Sequence, residues 1–395
     1  MTFFTSINNF YLAKARVLAK SLKYYMPDAP FILILSDKIP DGFILEKEPF
    51  DEVITIEELE IPVENLNMWI YMHSVVELCT AVKGQALFNL LERYDKVVYL
   101  DPDIVVYNDL CIIDELLEKY DIIFTPHQTI PEENDMDIFN NEICCLKNGT
   151  YNFGFFAVKA NNNGKFYAKW YRDRLIKYCK DDRANGLFTD QKWGDIAPAL
   201  FENLLIWKDP GANVSTWNLT HRNITKENDK YYVNGKPMLF YHFSGFDSGN
   251  QLIMLNLYSK GNPVLYELRN LYIKELNING QNINENSSCF YDLYLDGSTI
   301  TSEERNLLRN RLDVQEYFSK ANPYDKDGNS YYLWFQNEVK IHNKIFQTKT
   351  KEEIFNELNI VYNSRSWRLT KPLRKLGKII RYNKFYLFVK NILKI

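Results

Sequence analysis

Glycine is absent from the first 41 residues of this 395-residue chain. A sugar nucleotidyltransferase would need an early glycine-rich loop to bind phosphate, so the absence argues against that class of enzyme. The sequence also lacks any run of about 18 apolar residues, and we therefore predict no transmembrane helix. Residues 1–10 contain neither the basic stretch nor the apolar core of a signal peptide, so we expect no secretory leader.

Cysteine is scarce and scattered. The six cysteines form no Cys-x-x-Cys pair; they are Cys79, Cys111, Cys144, Cys145, Cys179 and Cys289. This pattern predicts a reduced, cytoplasmic protein rather than a disulfide-stabilised one. The five Asn-x-Ser/Thr sequons are then a by-product of the abundance of asparagine.

Charge is unevenly distributed along the chain. The formal net charge is −4, yet residues 364–395 contain ten Lys or Arg residues and no acid. Together with Trp367 and the apolar block Phe385–Val389, this favours an amphipathic segment on an anionic membrane surface, so we expect a peripheral protein at the inner face of the plasma membrane. The alternative is a helix docked on the acidic remainder of the chain. No nucleic acid partner is expected, because no nucleic-acid-binding motif accompanies the positive segment.

Short apolar runs alternate with segments of helical periodicity over residues 1–250. Strands are predicted at 2–6, 31–35, 53–55, 96–100, 122–125, 153–159 and 239–243, and helices at 11–25, 81–93 and 164–180. The alternation predicts an α/β fold with a mostly parallel sheet, in which ligands bind beyond the carboxyl ends of the strands. Residues 251–350 predict a smaller, mostly helical accessory region with Ser302 as a helix cap, and residues 351–395 form the basic amphipathic segment.

The strongest chemical signal follows the strand at 96–100, where the sequence continues Asp101-Pro102-Asp103. A turn at Pro102 can bring both carboxylates to one point, and such oxygen ligands suit Mg²⁺ or Mn²⁺. An ion of this kind takes further ligands from water and substrate phosphate. The alternative is a polar turn that ends a strand. Asp135-Met136-Asp137 has the same spacing but follows no apolar strand.

His242 ends the apolar stretch that begins at Leu239, just before Gly245. Of the five histidines it is the one best placed beyond the carboxyl edge of the sheet, and imidazole is a suitable third ligand beside two carboxylates. The alternative is a packed histidine bonded to the backbone. We predict one metal site formed by Asp101, Asp103 and His242.

These motifs occur in the order found in glycosyltransferase family 8, retaining enzymes of GT-A fold that use nucleotide-diphospho sugars. The chain resembles that family over its first 250 residues. Four blocks carry the resemblance: Thr2–Ser6 with Asn8, Tyr99–Asp103, Tyr151–Phe155, and Asp190-Gln191-Lys192 paired with Tyr241–Gly245. Any one block is weak evidence, but four in the same order are hard to obtain by accident.

The resemblance implies roles for individual residues. Those expected to bind the nucleotide part of the donor are Thr5, Ser6, Asn8, Lys83, Asp101, Ser244 and Gly245, and those expected around the donor sugar are Asn152, Asp190 and Gln191. The chain departs from the family in two ways: Phe153 replaces a small residue, and the basic residue that usually follows the His-x-x-Gly motif is missing. Phosphate neutralisation is therefore assigned to Lys83 or to an unidentified arginine. The alternatives are that Lys83 lies on a solvated helix face and that Thr189 caps a helix at Asp190.

Aromatic residues make up 15% of the chain. Their flat rings suit sugars, but the base composition of the genome together with core packing is the favoured explanation of the excess. Trp217 is a candidate for stacking on an acceptor sugar, with core packing as the alternative. His221 and Arg222 are candidates for acceptor contacts.

The sequence thus predicts a metal-dependent retaining glycosyltransferase that moves a hexose-type sugar from a nucleotide-diphosphate donor, expected to be UDP-linked, to a glycan or lipid-linked acceptor. Bacterial surface polysaccharide synthesis is the expected setting. The alternative from another class is a non-catalytic GT-A-like carbohydrate-binding or scaffold protein, which would show no metal-dependent nucleotide binding. A sugar nucleotidyltransferase is the second alternative.

Overall fold

The computed structural model describes residues 1–281 and 289–347. The chain forms two compact units, Met1–Tyr324 and a second one that begins at Asp325. The predicted amphipathic segment 351–395 lies outside the described residues. The division into three regions at residues 250 and 350 stays a prediction.

Fourteen strands occur among the described residues of the first unit. They are β1 (Thr2–Ile7), β2 (Phe31–Leu35), β3 (Glu52–Thr55), β4 (Lys96–Leu100), β5 (Ile104–Val106), β6 (Ile122–Pro126), β7 (Tyr151–Lys159), β8 (Asp181–Asp182), β9 (Leu187–Phe188), β10 (Leu204–Ile206), β11 (Ile224–Glu227), β12 (Lys230–Val233), β13 (Lys236–Pro237) and β14 (Phe240–His242).

The first unit also holds thirteen described α-helices, and the second unit holds one. They are α1 (Leu12–Tyr25), α2 (Leu66–Tyr71), α3 (Val75–Leu90), α4 (Cys111–Lys119), α5 (Asp135–Asp137), α6 (Ile143–Asn148), α7 (Asn162–Tyr178), α8 (Gln191–Gly194), α9 (Ala197–Leu200), α10 (Asn250–Tyr258), α11 (Pro263–Ile278), α12 (Ser302–Asn310), α13 (Leu312–Tyr317) and, in the second unit, α14 (Tyr331–Gln347). A π-helix, Ile138–Glu142, joins α5 to α6. Within the described ranges, no helix is both long enough and apolar enough to span a bilayer.

Seven strands form the central sheet, in the order β10-β6-β7-β4-β1-β2-β3. Strand β7 runs antiparallel to both of its neighbours, and every other pair is parallel. This topology confirms the predicted α/β class with a mostly parallel sheet. Because β7 runs against β4, the end of β4 and the beginning of β7 lie at the same edge of the sheet. The residues that follow β4 and those that open β7 therefore meet there.

Both faces of the sheet are buried, which explains why its strands read as continuous apolar runs. On one face, Phe3 and Leu33 belong to a core cluster that also contains residues of α1. On the other face, Tyr99 lies 5.0 Å from Phe4 and 5.0 Å from Phe156, measured between ring centroids. Core packing thus accounts for part of the aromatic excess.

Helix α3 packs against α7 beside this aromatic layer. A Cβ atom added to Gly84 would lie 2.7 Å from the Cα of Arg172, so only glycine permits this close approach of the two helices. Helix α3 begins at Val75 rather than at the predicted residue 81. Ser74 and Glu77 form a capping box there, in which each side chain accepts the backbone N–H of the other residue, and this adds turns ahead of the apolar periodicity.

Thr301, and not the predicted Ser302, caps α12. The Thr301 hydroxyl accepts the N–H of Glu304 at 3.2 Å, and the Glu304 carboxylate accepts the N–H of Thr301 at 2.7 Å. The prediction of Ser302 was wrong because the capping box requires the acid three residues after the cap, and that spacing selects Thr301.

Candidate active site

Asp101 and Asp103 lie at the carboxyl edge of the sheet, directly after β4. The N–H of Ile104 donates to the carbonyl of Asp101 at 3.1 Å and closes the turn at Pro102. Strand β5 then pairs with β14, so that Ile104 lies opposite His242. The ligand atoms of the two aspartates and the histidine all lie within 4.8 Å of one another. The structure thus brings together the three residues that were predicted as metal ligands.

The imidazole of His242 is held from two sides. Its Nε2 lies 2.9 Å from Oδ1 of Asp103 and 3.7 Å from Oδ2 of Asp101, and its Nδ1 lies 3.2 Å from Oδ1 of Asn213. A proton on Nδ1 that is donated to Asn213 leaves Nε2 directed at the carboxylates. A Cβ on Gly154 would lie 2.4 Å from Cε1 of His242, so this glycine makes room for the ring.

Opposite charges at the cluster outweigh the effect of burial. Burial alone would raise the pKa of Asp103, but the positive charges of His242 and Lys14 lower it. Burial alone would lower the pKa of His242, but the carboxylates of Asp103 and Asp101 raise it. A divalent cation would neutralise the same two carboxylates and would displace the imidazole proton.

Lys83 is buried between two carboxylates. Its Nζ lies 3.2 Å from Oδ1 of Asp101, 3.2 Å from Oδ2 of Asp190 and 3.4 Å from the carbonyl oxygen of Phe153. It also lies 4.2 Å from the ring centroid of Tyr99. The alternative that Lys83 lies on a solvated helix face was therefore wrong, whereas its contact with phosphate stays a prediction.

Asp190 is buried beside Lys83. Burial raises its pKa, although Lys83 and a hydrogen bond of 2.9 Å from the hydroxyl of Tyr171 act in the opposite direction. Asp190 stands at the N-cap position of α8 without a side-chain capping bond, and Thr189 lies one residue before it with φ of 46°. The alternative that Thr189 caps this helix was wrong. The next residue, Gln191, donates from Nε2 to the carbonyl of Asn148 at 2.9 Å.

Asn152 opens β7 and joins several polar groups. Its Oδ1 accepts the N–H of Gly154 and the Nδ2–H of Asn213, both at 3.0 Å, and its Nδ2 lies 3.1 Å from Nε2 of His127. Burial lowers the pKa of His127 to about 4, so its ring is neutral near pH 7. Neither His127 nor Asn213 belongs to a recognisable sequence motif, so the sequence predicts no role for them. The only local sign was that Asn213 falls in a loop rich in turn-forming residues.

A cavity of about 220 Å³ opens beside the cluster. Four residues with roles or candidate roles from the sequence line it: Asn152, Gln191, Trp217 and Ser244. The Trp217 ring centroid lies 5.2 Å from that of His242 in an edge-on arrangement, and Ser244 follows His242 by two residues. The cavity and the carboxylate cluster are therefore adjacent. Gly245 adopts a φ of 73° in the same loop, a conformation that favours glycine.

At the end of β1, two of the predicted nucleotide-binding residues have buried oxygen atoms without a partner. These atoms are Oγ1 of Thr5 and Oδ1 of Asn8. The third residue, Ser6, instead donates its hydroxyl to the carbonyl of Cys79 at 2.6 Å. Buried polar atoms without a partner are rare and costly, so Thr5 and Asn8 suit a polar ligand such as a nucleoside.

The carboxylate and imidazole donors of Asp101, Asp103 and His242 also suit a divalent cation such as Mn²⁺ or Mg²⁺. Over the part of the chain that the structure describes, this is the one group of three or more possible ligand residues whose ligand atoms all lie within 4.8 Å of one another. Three protein ligands leave room for water or phosphate oxygens. The residues present therefore fit the predicted cofactor.

Two candidates for acceptor contacts differ in their surroundings. His221 is partly exposed, and its Nε2 lies 3.0 Å from Oε2 of the buried Glu132. Arg222 is buried and donates to the carbonyl of Ala212 at 2.8 Å, and burial lowers its pKa to about 10. An acceptor would therefore reach His221 more readily than Arg222.

No protein-family model matches the chain. The chain is similar to two proteins of Bacillus subtilis (strain 168). It is 26% identical over 246 residues to the uncharacterized protein YfnF, covering 60% of this chain and 78% of that protein. It is 24% identical over 251 residues to the uncharacterized protein YfnD, covering 62% and 77%. Both relatives are uncharacterized, so this similarity indicates no particular activity.

Several solved structures overlap with the chain. A galactosyltransferase LgtC in complex with donor and acceptor sugar analogues is 18% identical and covers 62% of this chain and 87% of that chain, with a TM-score of 0.37. The glycosyltransferase GlyE of Streptococcus pneumoniae TIGR4 is 15% identical and covers 74% and 66%, with a TM-score of 0.38. Mouse xyloside xylosyltransferase 1 is 12% identical and covers 62% and 97%, with a TM-score of 0.37. At such TM-scores the overlaps carry no argument about what this chain binds.

Proposed function

We propose that the chain is a metal-dependent glycosyltransferase. It would take a hexose-type sugar from a nucleotide-diphosphate donor, expected to be UDP-linked, and transfer it to a glycan or lipid-linked acceptor. The observation that carries the proposal is the convergence of Asp101, Asp103 and His242 beside a cavity at the carboxyl edge of the sheet.

Each group of site residues has a distinct task under this proposal. Asp101, Asp103 and His242 would hold Mn²⁺ or Mg²⁺, and the ion would supply Lewis-acid stabilisation to the diphosphate leaving group. The partnerless oxygens of Thr5 and Asn8 would accept hydrogen bonds from the nucleoside. Lys83 holds Asp101 and Asp190 in place and offsets their charge.

The donor sugar would lie in the cavity, against Asn152 and Gln191. Asp190 is buried next to Gln191 and would accept sugar hydroxyls. None of the described residues that line the cavity is acidic, so the cavity wall offers no carboxylate nucleophile. If the configuration is retained, as the resemblance to glycosyltransferase family 8 implies, departure and attack would occur on one face of the sugar, and positioning and charge stabilisation would provide the rate enhancement.

The biological setting rests on the sequence alone. The basic segment 364–395 favours a location at the inner membrane surface, where a lipid-linked acceptor for bacterial surface polysaccharide would be available. Both the cytoplasmic location and the role in polysaccharide synthesis stay predictions.

Calorimetric titration of UDP with and without Mn²⁺ tests the proposal, together with a hydrolysis screen of UDP-, GDP- and dTDP-sugars. We expect Mn²⁺-dependent binding of at least one nucleoside diphosphate and slow hydrolysis of the matching donor, both abolished by EDTA. A scaffold protein would hydrolyse none of the donors and would bind no nucleotide in a metal-dependent manner, and that result would refute the proposal.

A further inference from the structure

A second buried cation lies beside the cluster, on α1. The side chain of Lys14 is 1% exposed, and its ammonium group forms an ion pair with Asp247, whose side chain is 34% exposed. The Lys14 Nζ also lies 4.1 Å from the ring centroid of Tyr11 and 5.9 Å from that of Phe246. Burying the charge of a lysine lowers the free energy of unfolding, and one ion pair with a carboxylate that is about one third exposed compensates for it only weakly.

Two phenol groups accompany this cation. The Tyr11 hydroxyl donates to Oδ2 of Asp247 at 2.7 Å. The hydroxyl of Tyr272, a residue that is 1% exposed, is buried and has no hydrogen-bond partner among the described residues. An ammonium group and two hydroxyl donors are the groups that bind an anion.

This group of donors lies beside the carboxylate cluster, because the ring of Tyr272 stacks on that of Phe243, with centroids 4.0 Å apart, and Phe243 directly follows His242. Burial raises the pKa of Tyr272, and the carboxylates of Asp103 and Asp247 add to the effect. The positive charge of Lys14 lowers the pKa of Asp103. The backbone supports the same arrangement, because the N–H of Phe243 donates to the carbonyl of Asp103 at 2.8 Å and the chain reaches Asp247 four residues later.

We propose that Lys14 binds the diphosphate of the donor and that the Asp247 carboxylate occupies this anion position until the donor arrives. The assignment rests on the proposed function. It supplies the positive charge that the sequence lacks after the His-x-x-Gly motif, because residues 246–248 contain no Lys or Arg. An anion bound there would lie next to the ion held by Asp103 and would take over the ion pair of Lys14.

The alternative is a structural latch, in which the Lys14–Asp247 ion pair only holds α1 against residues 244–249. A latch predicts different effects of substitutions on ligand binding. Breaking a latch from either side would loosen the site and lower the affinity for every ligand. Under our proposal the two partners have opposite effects, because Lys14 attracts the diphosphate while Asp247 competes with it.

The experiment is calorimetric titration of UDP and of uridine in the presence of Mn²⁺, followed by titration of Mn²⁺ alone. The variants are Lys14→Met, Asp247→Asn and the double variant, with Lys20→Met as the control, since Lys20 is an exposed lysine of the same helix. We expect Lys14→Met to weaken UDP binding about tenfold, leave uridine binding unchanged and strengthen Mn²⁺ binding, because Asp103 loses a neighbouring positive charge. Asp247→Asn should strengthen UDP binding about threefold, but only while Lys14 is present.

UDP affinity within twofold of the parent value in Lys14→Met would overturn the proposal, as would a parallel loss of UDP and uridine binding in both single variants. Equal gains from Asp247→Asn with and without Lys14 would also contradict it, since they would show a general charge effect. If Lys14→Met does not fold, the Asp247→Asn titration still decides, because a latch predicts weaker UDP binding. A parent protein that binds no nucleoside diphosphate would refute the proposed function itself, whereas normal parent binding with an indifferent Lys14→Met refutes this inference alone.

Discussion

Two buried cations of the first unit have contrasting surroundings. Arg305, which is 6% exposed, donates to the carbonyls of Tyr71, His73 and Tyr291 and to the carboxylate of Asp292, at 2.7–2.8 Å. These bonds tie three separate stretches of backbone together. The guanidinium offers a rigid fork of donors, and neutral carbonyls satisfy most of them.

The main partners of Lys83 are carboxylates, whereas those of Arg305 are backbone carbonyls. Lys83 lies between Asp101 and Asp190, and Asp101 in turn shares the imidazole of His242 with a third carboxylate, that of Asp103. Unpartnered buried oxygens lie nearby at the end of β1. The contrast teaches that burial of a charge does not by itself mark a functional site. A cation saturated by backbone holds the fold, whereas an excess of carboxylates beside unpartnered polar atoms is suited to a ligand.

The largest effect is expected from Asp103→Asn. It removes a charged ligand, so Mn²⁺ affinity should fall about 100-fold and donor turnover by a factor on the order of 10³. Asp135→Asn is the matched control, because Asp135 is an exposed residue that opens another Asp-x-Asp sequence. Calorimetry with Mn²⁺ and the donor-hydrolysis assay measure both variants. Full turnover in Asp103→Asn would show that the metal assignment is wrong.

Arg305→Met tests whether the buried Arg305 stabilises the fold without contributing to the site. It leaves three carbonyls and a carboxylate without their donor, and we expect the free energy of unfolding to fall by about 3 kcal/mol. Urea denaturation measures this loss. Mn²⁺ affinity of the folded variant should be unchanged. Arg311→Met, which removes an exposed ion pair with Asp313, should cost less than about 1 kcal/mol. The idea fails if both variants are equally stable or if Arg305→Met abolishes metal binding.

A buried histidine in the Arg305 region gives a pH-dependent test of the same comparison. His73 is buried in the Arg305 region, its Nδ1 lies 2.7 Å from the carbonyl of Trp69, and burial lowers its pKa to about 3 from the ordinary 6.5. Between these two values the unfolded chain binds the proton that the folded protein excludes. The stabilisation is therefore complete above about pH 6.5 and is lost as the pH falls.

The expected contribution of His73 is a loss of about 2 kcal/mol in the free energy of unfolding between pH 7 and pH 5. His73→Asn keeps a donor for Trp69 but does not titrate. Urea denaturation at both pH values should therefore show a smaller pH dependence in the variant by that amount. An unchanged dependence would mean that His73 takes up its proton in the folded state.

The smallest effect concerns the N-terminus of α12, the helix that carries Arg305. Thr301→Ala removes the observed cap and should lower the free energy of unfolding by about 1 kcal/mol, whereas Ser302→Ala should change it by less than about 0.5 kcal/mol. Thermal unfolding of the two variants side by side gives the answer. A larger loss in Ser302→Ala would restore the cap expected from the sequence.

Local sequence was sufficient where one signal decided the structure. The strand before Asp101 is a short apolar run, and the rule that ligands bind beyond strand ends placed Asp101 and Asp103 at the site and made His242 a candidate third ligand. Helix starts were less predictable. The start of α3 depends on the capping box at Ser74, which stands outside the apolar periodicity.

The remaining groups around the cluster carried no such signal. Lys14 lies on a helix among Ala13, Ala15 and Val17, and a lysine in such a helix usually extends to solvent. In the folded protein it is buried and pairs with Asp247, which belongs to a loop far away in the sequence. Asn213 and His127 belong to loops whose positions depend on the packing of the whole sheet edge. Pairings of this kind join residues far apart in the chain, and no local pattern records them.

The amino-acid sequence alone determined the α/β class, the positions of the main strands along the chain, and the placement of a pair of carboxylates at a strand end. These features depend on neighbouring residues, because strand burial and turn formation are local. The tertiary structure decided that His242 meets that pair through the β5–β14 ladder, that Lys83 is shared by Asp101 and Asp190, and that Lys14 lies beside the same site. The physical reason is that electrostatic contacts depend on distance in space, which backbone pairing and core packing set between residues that the sequence separates.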